Sequence, residues 1–571
     1  MRRTLVALTL VAAALSLTAL VASASRGASD PATIASVSPP VVGTAVAFDT
    51  TPPLAEMKPV KPKGGVPKNI GESGDEFVEQ RPHKRDGALQ EAVPTAAMPA
   101  PLRTFEGPSN EDNFRIFGFR VNPPDPVGDV GLRHYVAMTN LTFAVYAKQG
   151  RRIFGPADTG TLWQGFPIED CTDPSGDPIV LYDEIDDRWI LTQFTTRGFE
   201  DANQPFFNCV AVSQTGNPTG RYFRYAFTTG HDFPDYPKYG VMPNGLFVTT
   251  REFVRGVGNE VIGIYAINRE QLVAGNPNTQ FVAFHLNKPE YLVGDGLLPA
   301  DLDGTRLPPA GSPEYIVGSM DDDAGDHAPF DALNMFHLNV DWNNPSAATF
   351  TFVTHVPIAE YDTIYPCAPT SRDCLPQPGI TNPAQFLDIL SYRQRPMWRL
   401  QYRNLGTHES LVTNQSVEAR PGIAGIRWWE LRNPRDPVLH QEGTWAPDDG
   451  IHRWMGSVAL DNQGNMALGY SVVNATDVFP GIRYAGRLAG DPLGQLSQGE
   501  TVLQNGSGVQ TTTNSRWGDY TSMNVDPSDG CTFWYINEYY ARSGTPLPAP
   551  PSADTRPWQT RIGAFRFPDC S

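Results

Sequence analysis

From about residue 120 to the C-terminus the chain repeats one pattern of apolar and polar positions. An apolar strand is followed by a short polar turn, a second apolar strand, a longer loop and a third strand. The clearest copies are GDPIVLYDEIDDRWILTQF from Gly176, YPKYGVMPNGLFVTTREF from Tyr236, HRWMGSVALDNQGNMALGYSVV from His452 and SRWGDYTSMNVDPSDGCTFWYINEYY from Ser515. Weaker copies begin at Asp129, around Glu314 and at Met397. The segments are rich in Val, Ile, Tyr, Phe and Trp and are separated by Gly, Pro, Asp and Asn, as strands and turns require. Helical periodicity is confined to Asn268–Gly275.

Strand clusters recurring at a fixed scale mark a radial or solenoid architecture. A β-helix needs shorter, more regular rungs, and a row of sandwiches lacks the repeating aromatic first hairpin. The pattern therefore predicts an all-β fold, a seven-bladed β-propeller, with six or eight blades as alternatives. The closing blade is expected to combine strands from both ends of the domain. Turns between first and second strands are short, as at Pro243-Asn244-Gly245, Asn462-Gln463-Gly464 and Ser528-Asp529-Gly530. Loops between second and third strands are long and varied, as in TTRGFEDANQPF and DDDAGDHAPFDA. In a propeller these long loops share a face with the segments leading into the first strands, so that face is the one expected to carry function.

The region ahead of the repeats reads differently. Arg2 and Arg3 precede an apolar run from Leu5 to Val21 that ends in Ala22-Ser23-Ala24, the form of a secretory signal peptide over residues 1–24. Residues 25–103 are dominated by proline and small polar residues, which predicts a disordered linker, or a pro-segment that is removed. The domain is then 104–571. No later stretch matches a membrane span, and the expected location is extracellular.

Net charge is −18, which disfavours phosphate backbones and anionic membranes as partners. The six cysteines are even in number and contain no CxxC pair, which favours disulfides over a metal site. Cys531 opens the second strand of the last unit and Cys570 closes its third, so the two are expected to meet. The same logic pairs Cys171 with Cys209, and a tight loop pairs Cys367 with Cys374.

Residues just ahead of each first strand should ring the channel mouth. They are Asp177, Asp235, Lys238, Arg399, Arg453 and Arg516, with Trp454 and Trp517 beside two of the arginines, Trp398 beside the third, and Asp519 slightly deeper. Arginines, carboxylates and indoles suit a ligand with hydroxyls, carboxylates or sulfates and flat sugar faces. The same residues would equally form a structural network of Arg–Asp pairs around water. Arg427, Arg483 and Arg561, near the starts of third strands, read as scaffold stacking on neighbouring aromatics. The acidic loop bearing Asp321, Asp323 and Asp326 offers oxygen ligands that suit Ca²⁺, the one cofactor considered. Catalytic patterns are thin: there is no GxSxG, HExxH or phosphate loop. Paired carboxylates such as Asp177 with Asp235, or His452 with Tyr484, are the available acid–base combinations.

The segments IRYAGRLAGDPLG, RWGDYTSMNVDP, CTFWYINEYY and TRIGAFRFPDC resemble a group of exported bacterial propeller proteins, over Phe105 to Cys570. That resemblance implies a propeller fold and export and assigns no activity. A looser similarity is to sialidase-type propellers, whose arginine triad Arg399, Arg453 and Arg516 could imitate. SDGCTFW from Ser528 departs from the S-x-D-x-G-x-x-W box in spacing, and no Tyr–Glu nucleophile pair matches. Together these readings point to a monomeric binder of extracellular polysaccharide or another cell-envelope component. A glycan-degrading hydrolase or lyase, and an envelope docking module, are the alternatives.

Overall fold

The computed structural model describes residues 37–60, 84–94, 96–255, 260–287, 292–294, 296–323, 328–363, 373–389, 395–511, 516–545 and 557–570. The signal-peptide expectation falls outside them. So do Asp326 and Cys367.

The fold is all-β and of propeller type, built from successive antiparallel four-stranded units. The first contains Val127–Val130, His134–Thr139, Thr142–Ala147 and Arg152–Asp158. The second runs from Val180–Asp183 to Tyr222–Gly230, and the third from Asp232–Met242 to Gln280–Asn287. The fourth runs from Leu298–Leu302 to Thr349–Pro357, and the fifth from Met397–Asn404 to Val438–Trp445. The sixth runs from His452–Leu460 to Glu500–Gln504. The last takes Ser522–Val525, Phe533–Tyr540 and Trp558–Phe565 from the C-terminal end and Arg103–Ser109 from the N-terminal side.

First strands of consecutive units lie side by side, and Ser522–Val525 also lies against Val127–Val130. Between the fourth and fifth units the contact becomes parallel backbone pairing, Ala300–Leu302 with Leu400–Tyr402. Elsewhere the free inner edge of a first strand would leave buried N–H groups without acceptors, which is costly. Side chains of the neighbouring unit supply them. Asp129 accepts from Tyr182 N at 2.7 Å, Asp301 from Val241 N at 2.9 Å and Gln401 from Leu460 N at 2.7 Å. Ser416 accepts from Met455 N at 3.0 Å, Ser457 from Met523 N at 3.0 Å and Ser522 from Gly128 N at 2.8 Å. Each such bond contributes about 1 kcal/mol net, and leaving the donor orphaned would cost more.

Apolar faces of adjacent units supply the core; one large cluster runs from Leu54 through Trp163, Tyr239 and Trp398 to Trp429. The helix expected at Asn268–Gly275 forms over Arg269–Ala274, capped by Asn268 and ended by Gly275 in the left-handed region. A second helix, Asn110–Phe117, carries a reciprocal capping box between Ser109 and Asp112. Cys171 is bonded to Cys209 and Cys531 to Cys570, with Cα atoms 6.0 and 5.6 Å apart.

The segment read as a disordered linker is instead incorporated wherever it is described. Val41–Thr44 pairs with the outer strand of the third unit, Val41 opposite Ala283. Ala47–Thr50 does the same on the second unit, Ala47 opposite Ala226. Both outer strands would otherwise present unpaired edges, and short runs of β-formers between prolines are enough to cover them. Further on, Leu89 bridges to Thr444, and Ala96 N donates to Ser497 O at 3.2 Å.

Candidate functional site

The segments leading into several first strands come together, and their backbone is irregular there. Asp125, Asp177, Tyr236 and Met455 occupy matching places in four units, with φ of 46°, 41°, 50° and 53°. Non-glycine residues in the left-handed region are strained by about 1 kcal/mol or more and are retained where surrounding contacts dictate them. Bulges interrupt the pairing at the same level, between Asp235 and Lys238, Met397 and Gln401, and Trp454 and Ser457. A bulge re-aims the side chains around it, and here it turns Lys238 inward.

The Lys238 side chain is buried. Its Nζ lies 2.8 Å from the centroid of the Tyr236 ring and 4.0 Å from that of Tyr520. It donates to Tyr236 O at 3.3 Å. The Arg395 guanidinium sits 3.9 Å from the same Tyr236 centroid. Around this cationic centre stand Asp125, Asp177, Asp235 and Asp519. Asn140 Nδ2 and Asp519 N each donate to Asp125 at 2.7 Å. The Tyr520 hydroxyl lies 3.1 Å from Asp177 Oδ2 and 3.2 Å from Pro237 O. Arg516 pairs with Asp519 at 2.7 Å and approaches Asp388 at 3.7 Å.

Burial first, and then the crowding of charges, shifts the titration of these groups. Burial raises the Asp177 carboxyl well above the usual range, and Asp125, Asp235 and Asp519 push it further; Lys238 offsets only part. Burial and Asp519 raise Asp125 in the same way, against the pull of Arg516. Burial lowers Lys238 well below an ordinary lysine, and Arg395 adds to this, while the three carboxylates oppose it. Burial thus works against the charged forms of both the carboxyls and the amine, and the opposite charges nearby offset part of that. A small cleft with room for about one water, some 10 Å³, opens beside the cluster, lined by Tyr236, Lys238, Thr250, Arg251, Leu297 and Arg395 among others.

The cluster thus gathers Asp177, Asp235, Lys238, Arg516 and Asp519. Arg399 lies deeper, fully buried, where Nε donates to Asp301 at 2.9 Å and the guanidinium grips Asp303. Arg453 does not join the cluster: it pairs with Asp449 and with Glu500 of the outer strand, both at 2.8 Å. Trp454 and Trp517 are fully buried, 5.1 Å apart in an apolar cluster with Tyr540 and Trp558, so their faces pack against protein. Arg427 joins Asp86 at 2.7 Å and Glu442 at 3.0 Å and lies over Tyr361, Arg483 joins Glu500 at 2.6 Å, and Arg561 joins Glu106 at 2.5 Å. His452 accepts from Ala424 N at 3.2 Å and is held down to about 4 by burial and Arg453, while Tyr484 donates to Pro99 O. In the acidic loop, Asp321 accepts from Thr363, and Lys84 sets its ammonium 2.6 Å from Asp322 and 3.1 Å from Asp323.

Several members of the cluster escaped the sequence reading: Asp125, Asp388, Arg395, Tyr236, Tyr520 and Glu538. Glu538 is fully buried; Gly518 N donates to its Oε1, and burial raises it well above the usual range. A glutamate inside the apolar run FWYINEYY was the available signal.

No protein-family model matches the chain, and no curated protein matches it. Among solved structures, it is similar to a thermostable family-43 glycoside hydrolase at 13% identity, covering 69% of this chain and 91% of that one, with a TM-score of 0.26. It is similar to the WD40 domain of SCAP from fission yeast at 7% identity, over 81% and 98%, with a TM-score of 0.30. Drosophila Semaphorin 1b, extracellular domains 1-2, aligns at 8% identity over 82% and 88%, with a TM-score of 0.32.

Proposed function

We propose that this chain is an exported, seven-bladed propeller that binds an acidic extracellular polysaccharide at the channel mouth. The seven-unit count rests on the order of first strands and on the contact of the last with the first. Export is supported by the N-terminal apolar run and the two disulfides. The observation that carries the ligand class is the cleft itself. Lys238, Arg251 and Arg395 line it together with the Tyr236 ring, a combination that suits carboxylate or sulfate groups on a flat sugar face. A monomeric state and a cell-envelope partner are part of the same proposal.

The test is affinity electrophoresis in gels cast with acidic or neutral polysaccharides. The wild type is expected to be retarded by the acidic polymers, and Lys238→Met with Arg395→Met to migrate freely while keeping a cooperative melt. Equal migration of both proteins in every gel would overturn the reading. A second reading, glycan cleavage by the same site, is favoured by the raised carboxyls of Asp125 and Asp177, the condition a general acid needs. Release of reducing or unsaturated ends in the same panel separates it from binding alone.

A further inference from the structure

A second constellation lies on the third unit, outside the channel-mouth cluster. Asp232 opens the first strand of that unit, Glu252 lies near the end of the second and His285 near the end of the fourth. Antiparallel pairing brings these ends to one edge: Asp232 opposes Val254, Glu252 opposes Val261, and His285 opposes Gly263. Their carboxylate oxygens and imidazole nitrogen all lie within 4.8 Å of one another.

Glu252 is fully buried. Its Oε1 is fixed by two donors, Thr250 Oγ1 at 2.9 Å and the Tyr265 hydroxyl. Its Oε2 faces His285 Nε2 at 3.2 Å, and beyond that contact neither of the two buried atoms has a hydrogen-bond partner. The space for this carboxylate depends on Gly263, where a Cβ would stand 2.2 Å from Oε1 and 2.5 Å from Thr250 Oγ1. His285 is held from its backbone by Ser38 of the N-terminal strap, whose Oγ accepts from His285 N at 2.9 Å. Two carboxylates and one imidazole thus converge, with Oε1 of Glu252 held by two hydroxyls and Oε2 turned toward His285. Outer hydroxyl donors that fix one oxygen are the usual way a metal ligand is aimed.

We infer that Asp232, Glu252 and His285 form a binding site for a divalent transition metal of the zinc type. An imidazole beside two carboxylates selects Zn²⁺ over Ca²⁺ or Mg²⁺, which take all-oxygen sets. Zinc bound to N and O ligands at about 2.1 Å holds neighbouring ligand atoms roughly 3.4 Å apart, close to the 3.2 Å between Glu252 and His285. Asp232 closes the third position from the partly exposed edge, leaving a fourth for water. The two carboxylates neutralise the ion. Because the ligands come from three strands and the imidazole strand is covered by the Ser38 strap, metal would tie the strap's sheet edge to its first strand.

The experiment is equilibrium dialysis of the purified full chain against Zn²⁺, with bound metal measured by elemental mass spectrometry and Co²⁺ as a spectroscopic stand-in. One metal per chain is expected for the wild type, with cobalt bands of a nitrogen–oxygen site. His285→Gln and Asp232→Asn should each lower affinity by tenfold or more. Asp232 is at the partly exposed edge, so that variant keeps the test valid should Glu252→Gln fail to fold. No bound zinc in the wild type, equal zinc in the variants, or Ca²⁺ competing on equal terms would each overturn the proposal.

Discussion

Two buried polar groupings, one around Arg399 and one around Lys238 and its pair of tyrosine rings, use the same residue types differently. Around Arg399 the carboxylates are closed by a fork of hydrogen bonds. Arg399 donates from Nε to Asp301, from both terminal nitrogens to Asp303 and from one of them to Met523 O at 3.3 Å. Gln401 donates to Asp303 at 2.6 Å, and Asp129 accepts from Val130 N and Tyr182 N at 2.7 Å each. In the second grouping, the buried cation lies against two tyrosine rings and bonds a carbonyl of its own strand. The planar fork of an arginine can satisfy two carboxylates at once, whereas a lysine point charge held by rings leaves the surrounding carboxyls to compete. The Arg399 grouping locks neighbouring units together. Burial raises carboxyls in both places, Asp129 and Asp301 beside Arg399 and Asp125 and Asp177 beside Lys238.

The largest effect should come from Arg399→Met, which leaves Asp301 and Asp303 buried without their cation and should cost about 3–5 kcal/mol. Urea unfolding measures this, and a loss below about 1 kcal/mol would erase the contrast between the two groupings. Asp303→Asn is next, with an expected loss of about 2 kcal/mol from weakened charged hydrogen bonds. Asp177→Asn should behave oppositely, leaving stability at pH 8 equal or higher and retention of acidic polysaccharides equal or stronger.

The pH dependence follows the same division. Asp177 and Asp125 titrate higher folded than unfolded, so the folded state binds more protons in that window. Stability should therefore fall as pH rises from about 3.8 through their raised folded values. Melting curves from pH 4 to 9 should show that decline, and Asp177→Asn should flatten it. On the sixth unit the sign reverses. Burial alone would raise Glu500, but Arg453 and Arg483 draw it down to about 2. Its contribution is present above the ordinary value near 4.5 and is lost as pH falls towards 2; Glu500→Gln should remove that acid-side loss. The smallest effect is Tyr520→Phe, expected to cost about 1 kcal/mol through one buried hydroxyl and to weaken retention only partly.

Strand order, turn lengths and the two described disulfides were legible because each follows from residues close in sequence. Alternating apolar runs dictate strands, Asn-Gly and Asp-Gly dictate tight turns, and Cys531 and Cys570 lie on neighbouring strands of one unit. The mouth was half legible. Asp177, Asp235, Lys238, Arg516 and Asp519 stood where a first strand begins, but nothing local distinguishes them from Arg453, whose side chain turns outward to Glu500. Asp125 and Arg395 were missed because they belong to the site only through segments hundreds of residues away. Trp454 and Trp517 misled for the converse reason: an aromatic beside a polar residue packs inward whenever the adjacent unit offers an apolar face.

By itself, then, the sequence determined a repeating all-β chain with local disulfide links, since periodicity and turn chemistry act over a few residues. Only the tertiary structure decided which charges share a low-dielectric space and which find partners elsewhere. It also decided that the proline-rich segment, where described, pairs with open sheet edges. Those outcomes depend on which edges and side chains meet across units, and burial makes each meeting count through desolvation.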